Sequence, residues 1–147
     1  MYKLTLALFH FSLFIQGAKA QKSEIFETDG KAIRGYDVVA YFTLGEPTKG
    51  IDSITTQWNN SNWLFSSIPN LENFKKNPEK YAPQYGGYCA YGTAGGYKAT
   101  TQPDAWAIVD GKLYLNYNKK VKTIWEKDPP RYIEKANMNW PGLKTKD

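Results

Sequence analysis

Cys89 is the only cysteine in the chain, and it sits in Pro83-Gln84-Tyr85-Gly86-Gly87-Tyr88-Cys89-Ala90-Tyr91-Gly92, followed by Gly95-Gly96. A lone thiol can act as a metal ligand, as a redox or nucleophilic group, or as one half of an intermolecular disulfide. It can also simply pack as a small hydrophobe beneath the glycine pairs. As a metal ligand it suits a soft ion such as copper(I), which needs further soft donors. Met138 is the only other sulfur beyond the first twenty residues. No lysine or arginine lies within eight residues of Cys89 to favour a thiolate locally. Tyr85, Tyr88 and Tyr91 surround it, with Tyr81 and Tyr97 further out. They read either as aromatic core or as the wall of a concave pocket for a small organic molecule, with phenol hydroxyls on the rim.

Other chemistries are narrowed by what is missing. Asp37 reads as a helix cap and Asp104 as a turn residue, so no acid–base pair stands out. Gly92-Thr93-Ala94-Gly95-Gly96 lacks the Gly-Lys-Ser/Thr ending of a phosphate-binding loop. The single histidine, His10, falls in a segment that reads as a leader. Lys3 precedes the apolar run from Leu4 to Ile15, and Ala18-Lys19-Ala20 is a small-residue cleavage site. Twelve residues of helix span about 18 Å, too short for a hydrocarbon core of about 30 Å. The expectation is a signal peptide over 1–20, cut after Ala20, and a product exported to the periplasm or exterior. What remains has no imidazole, which removes Ser-His-Asp, Cys-His and His-ligated metal chemistry together. It also has no second segment apolar enough to span a bilayer.

The 147 residues are 41% hydrophobic and 22% charged, the composition of one globular domain. The formal charge of +5 falls to +3 when Lys3 and Lys19 leave with the leader. The remaining lysines are dispersed, so a solvated surface rather than a nucleic-acid partner is expected.

The elements that must position Cys89 and the tyrosines follow from local patterns. Residues 21–31 are polar and read as a loose lead-in. Ala32-Ile33 reads as a short strand broken at Gly35, and Asp37 as the cap of a short helix over 38–42. Ile54, Thr56 and Trp58 alternate with polar residues and pair, across Asn59-Asn60-Ser61-Asn62, with Trp63-Leu64-Phe65. A helix follows from Ser67 or Ile68, with Pro69 in its first turn, Leu71 and Phe74 on one face and a stop at Asn77-Pro78. Asp110-Gly111 joins 106–109 to 112–116 as a type I′ hairpin, with Trp106 and Ile108 expected inside. Asn118 caps a helix bearing Val121, Ile124 and Trp125. Asp128-Pro129-Pro130 opens a last helix with Ile133 and Ala136, expected to stop at Trp140-Pro141-Gly142. The sum is a small single α+β domain with antiparallel β-hairpins and several short helices.

Three stretches together resemble the YHS-domain family in its exported single-domain form. They are Gly35-Tyr36-Asp37-Val38-Val39-Ala40-Tyr41-Phe42, then 77–90 from Asn77-Pro78-Glu79-Lys80-Tyr81, and Asp110-Gly111-Lys112-Leu113-Tyr114-Leu115-Asn116-Tyr117. The resemblance implies a YHS-like domain over 32–143, leaving 144–147 as a tail. Short YHS domains attached to metal-transporting ATPases carry a cysteine pair, which implies metal binding. Here Ser66 and Asn70 stand where that pair would fall. A hydroxyl and an amide are poor substitutes for two thiolates toward a soft metal. The functional expectation is an exported, non-enzymatic binding module, metal-related by family analogy, with Cys89 as the candidate ligand. The alternatives are a module holding a small organic ligand at Tyr85, Tyr88 and Tyr91, or an enzyme using Cys89.

Overall fold

The computed structural model describes residues 23–146, so the expected leader and its cleavage point lie outside the described residues. Among the described residues no helix is long and apolar enough to cross a membrane. The domain is α+β, with two sheets surrounded by short helices.

The larger sheet has strand order β1-β2-β4-β3, made of β1 (Glu27–Thr28), β2 (Lys31–Ala32), β3 (Ile51–Trp58) and β4 (Ser61–Phe65). Asn59 and Asn60 both take positive φ, 48° and 59°, so the β3–β4 turn has two residues and Ser61 already pairs with Trp58. Asparagine tolerates that region better than most side chains. Between Ile51 and Thr55 the register shifts, which lets β3 start earlier than its alternation suggests. Trp63 and Phe65 stack on Phe74 at 5.1 and 5.0 Å between centroids. Phe74 comes from α2 (Ile68–Lys76), whose cap Ser67 accepts from the Asn70 N–H. Asn77 ends α2 as expected and also caps a further turn, α3 (Pro78–Tyr81).

The smaller sheet pairs β5 (Trp106–Val109) with β6 (Lys112–Leu115) across Asp110-Gly111, at φ 50° and 73°. The expected turn is present, but its burial differs from expectation. Ile108 is 37% exposed and Trp106 half-buried, whereas Leu113, Tyr114 and Leu115 are all buried. Leu113 and Leu115 enter one core with Val39, Tyr41, Trp63 and Phe74. Tyr114 enters a second core with Tyr85, Trp125 and Ala136. Thus β6 is a wall between two cores, and period-2 alternation on it separates cores rather than core from solvent.

Four further segments complete the fold. These are α1 (Ala40–Thr43), α4 (Ala90–Ala94), α5 (Lys119–Trp125, capped by Asn118) and α6 (Pro129–Leu143, capped by Asp128). Helix α6 runs through Pro141 instead of ending there. Pro141 is exposed, so the carbonyl one turn before it can turn to water, and Lys144 N–H still bonds Trp140 O at 2.9 Å. The described part of the lead-in, residues 23–31, is held rather than loose. Ile25 and Phe26 are buried, and Phe26 N–H donates to Gly86 O at 2.8 Å. The expected strand at Ala32-Ile33 is only half formed. Ile33 leaves it with φ 50° and starts a 3₁₀ turn to Gly35.

Candidate functional site

Ser66 and Asn70 converge on one atom. Asp37 is fully buried, and its Oδ2 accepts from Ser66 N (2.8 Å), Ser66 Oγ (2.6 Å) and Asn70 Nδ2 (2.8 Å). Its Oδ1 accepts from Val39 N at 2.9 Å and Ala40 N at 3.1 Å, capping the turn that leads into α1. The capping role expected for Asp37 is present, although α1 begins at Ala40 rather than Val38. Five donors therefore surround one buried carboxylate, and Ser66 and Asn70 are among the suppliers. This donor-rich clamp does not fit a soft or borderline metal, which needs lone pairs directed at it. Among the described residues no group of three or more His, Cys, Asp or Glu is arranged to hold a metal ion.

Cys89 is 1% exposed and works as a cap. Its Sγ accepts from Gly92 N (3.4 Å) at the start of α4 and from Tyr117 N (3.2 Å) after β6. The thiol also faces Asn116 Oδ1 at 3.6 Å, which in turn accepts from Tyr91 N at 3.1 Å. Burial pushes the thiol pKa up, and the amide hydrogen bonds only partly oppose that. A protonated, hidden sulfur is a poor nucleophile. It forms the floor of an apolar hollow of about 280 Å³ walled by Tyr91, Tyr97 and Tyr117.

Among the described residues, Tyr85, Tyr88 and Tyr91 line different hollows. Tyr91 borders the Cys89 hollow and packs on Tyr132. Tyr88 donates to Ser23 O at 3.1 Å and faces a separate hollow with Phe26 and Lys98. Tyr85 lines a cleft of about 420 Å³ with Trp58 and Trp140.

That cleft is assembled by the glycine pair. Gly86 has φ +62°, and a Cβ there would lie 1.7 Å from Glu24 O, so only glycine lets the lead-in cross so closely. Gly87, at φ +85°, would collide with Ile33 Cδ1 at 2.2 Å. Tyr85 itself is held at φ 58°, a costly conformation for an aromatic residue. Its ring lies between Tyr114 and Trp140, at 6.0 and 6.1 Å, and its hydroxyl donates to Asn137 Oδ1 on α6 at 3.0 Å. Burial, then the neighbouring Tyr114, pushes the Tyr85 pKa well up, so the hydroxyl stays a donor. The other walls come from the lead-in (Glu24), the β3–β4 turn (Trp58, Asn59), the region from α3 onward (Glu79, Gln84) and the end of α6 (Asn137, Trp140).

Aromatic faces with amides and carboxylates around them can hold and orient a small organic molecule. Of these residues only Tyr85 was legible as a site candidate. Trp58, Glu24, Glu79 and Trp140 are far apart in sequence, and the only local signal was the glycine pair that brings two of the walls together. Compared with known protein families, characterised proteins and solved structures, the chain matches none.

Proposed function

We propose that the protein is an exported, non-enzymatic binding module, YHS-like in sequence, that holds a small organic molecule in the Trp58–Tyr85–Trp140 cleft. The observation that supports this most directly is the strained Tyr85, which is held by its neighbours in a position that serves the cleft. Backbone strain concentrates where geometry is functional, because packing has to offset it. The cleft volume, about 420 Å³, falls within the range of about 300–1,000 Å³ typical of small-molecule sites. The metal reading has weaker support, since Ser66 and Asn70, which stand where the resemblance would place a cysteine pair, turn hydrogen-bond donors toward Asp37.

Native mass spectrometry of untagged protein, followed by a fragment screen read at the tryptophan indole N–H resonances, tests the proposal. The expected result is a co-purifying organic mass, or fragments that shift Trp58 and Trp140 together. Fragment shifts confined to the residues around Cys89, with Trp58 and Trp140 unmoved, would overturn it.

A further inference from the structure

We infer that this cleft takes an organic cation, a protonated or quaternary amine bearing an alkyl portion; the inference rests on the cleft being the binding site. The charged residues that line it are Glu24 and Glu79, and no described lysine or arginine does so. That is the opposite sign to the chain as a whole, at +5. Neither carboxylate is ion-paired with a described residue. Trp58, Tyr85 and Trp140 line the same cleft, and aromatic rings attract cations through the negative charge density of their faces. A cation gains from both sets of groups at once. An anion is repelled by both, and a neutral molecule gains only contact area and hydrogen bonds from the amides of Asn137 and Gln84. Rings in this molecule already meet cations elsewhere: Arg34 lies 5.4 Å over Phe26 and Lys80 5.1 Å over Tyr81. Lys98 approaches Trp140 at 5.8 Å without lining the cleft.

The test compares choline with its uncharged carbon analogue, in which a tert-butyl group replaces trimethylammonium. Shape and apolar area are nearly matched, so the difference reports charge. Titrations of the full chain are followed by the Trp58 and Trp140 indole signals, alongside Glu24→Gln/Glu79→Gln. Choline should bind at least about tenfold more tightly than the neutral analogue, and the double variant should lose about tenfold for choline only. Added salt should weaken choline alone. Equal affinity for the two probes, with the same indoles shifting, would overturn the cation assignment and leave the cleft as a site. No shift of either indole by either probe up to about 10 mM would overturn the cation assignment and count against the cleft itself.

Discussion

Asp37 shows how much one side chain can decide. A buried carboxylate surrounded by five donors is stabilised as an acceptor on both oxygens, so even an isosteric amide is wrong there. In Asp37→Asn the new NH₂ must face either Val39 N and Ala40 N or Ser66 N and Asn70 Nδ2, whichever way it flips. We expect a loss of about 3 kcal/mol or more in urea unfolding; a loss below about 1 kcal/mol would show that the clamp is dispensable. Cys89 makes the contrasting case. Its sulfur satisfies two amide donors but carries no charge, so Cys89→Ser, which keeps an acceptor with a shorter reach, should cost only about 1 kcal/mol. The native thiol should react slowly with a thiol reagent and rapidly once denatured, because it is 1% exposed and burial raises its pKa. Labelling at similar rates in both states would contradict the capping role. The sequence placed Asp37 as a cap because capping is local. Its link to Ser66 and Asn70, 29 and 33 residues away, has no local signature.

At the scale of elements, the segments written in short-range chemistry were the readable ones. Helices begin after Ser67, Asn118 and Asp128 and one stops at Asn77, as expected, and Asp110-Gly111 makes its hairpin, whereas the further helix that Asn77 caps was not expected. What alternation cannot say is which face meets a core. On β6 both faces do, so Leu113 and Leu115 took the inside position expected of Ile108. Tertiary crossing is the other blind spot. The polar lead-in looked loose, yet Ile25 and Phe26 are buried because Gly86 lets that segment pass against the Tyr85–Gly87 turn. Gly86→Ala tests the crossing. A methyl placed 1.7 Å from Glu24 O, at φ +62°, forces the lead-in away. Expected outcomes are a loss of about 2–4 kcal/mol and faster amide exchange at Phe26, whose N–H bonds Gly86 O. Unchanged exchange at Phe26 would show that the lead-in is anchored elsewhere.

The molecule as a whole is an aromatic-rich structure in which phenols are buried as donors, and this fixes how it should respond to alkali. Tyr41 donates to Pro103 O at 2.8 Å, and Tyr85 to Asn137. Burial is the leading cause of a raised pKa at Tyr41, Tyr85, Tyr88 and Tyr114, and also at Cys89. For each, the folded state holds its proton to higher pH than the unfolded chain does. The folded state therefore binds more protons once pH passes the unfolded value, about 8.5 for the thiol and about 10 for a phenol. Stability is then full below those values and falls as pH rises through them, because deprotonation favours the unfolded chain. Each fully protected group contributes a slope of at most about 1.4 kcal/mol per pH unit. A domain with net stability of about 5–15 kcal/mol cannot sustain several such slopes for long. The urea midpoint should therefore begin to drop near pH 8.5 and fall steeply above about pH 10. Tyr41→Phe separates this from general base damage. It should lower stability at neutral pH, through the lost bond to Pro103, yet flatten the alkaline slope by up to one proton. A midpoint constant to about pH 11, or a slope unchanged in Tyr41→Phe, would show that the buried phenols do not control alkaline unfolding.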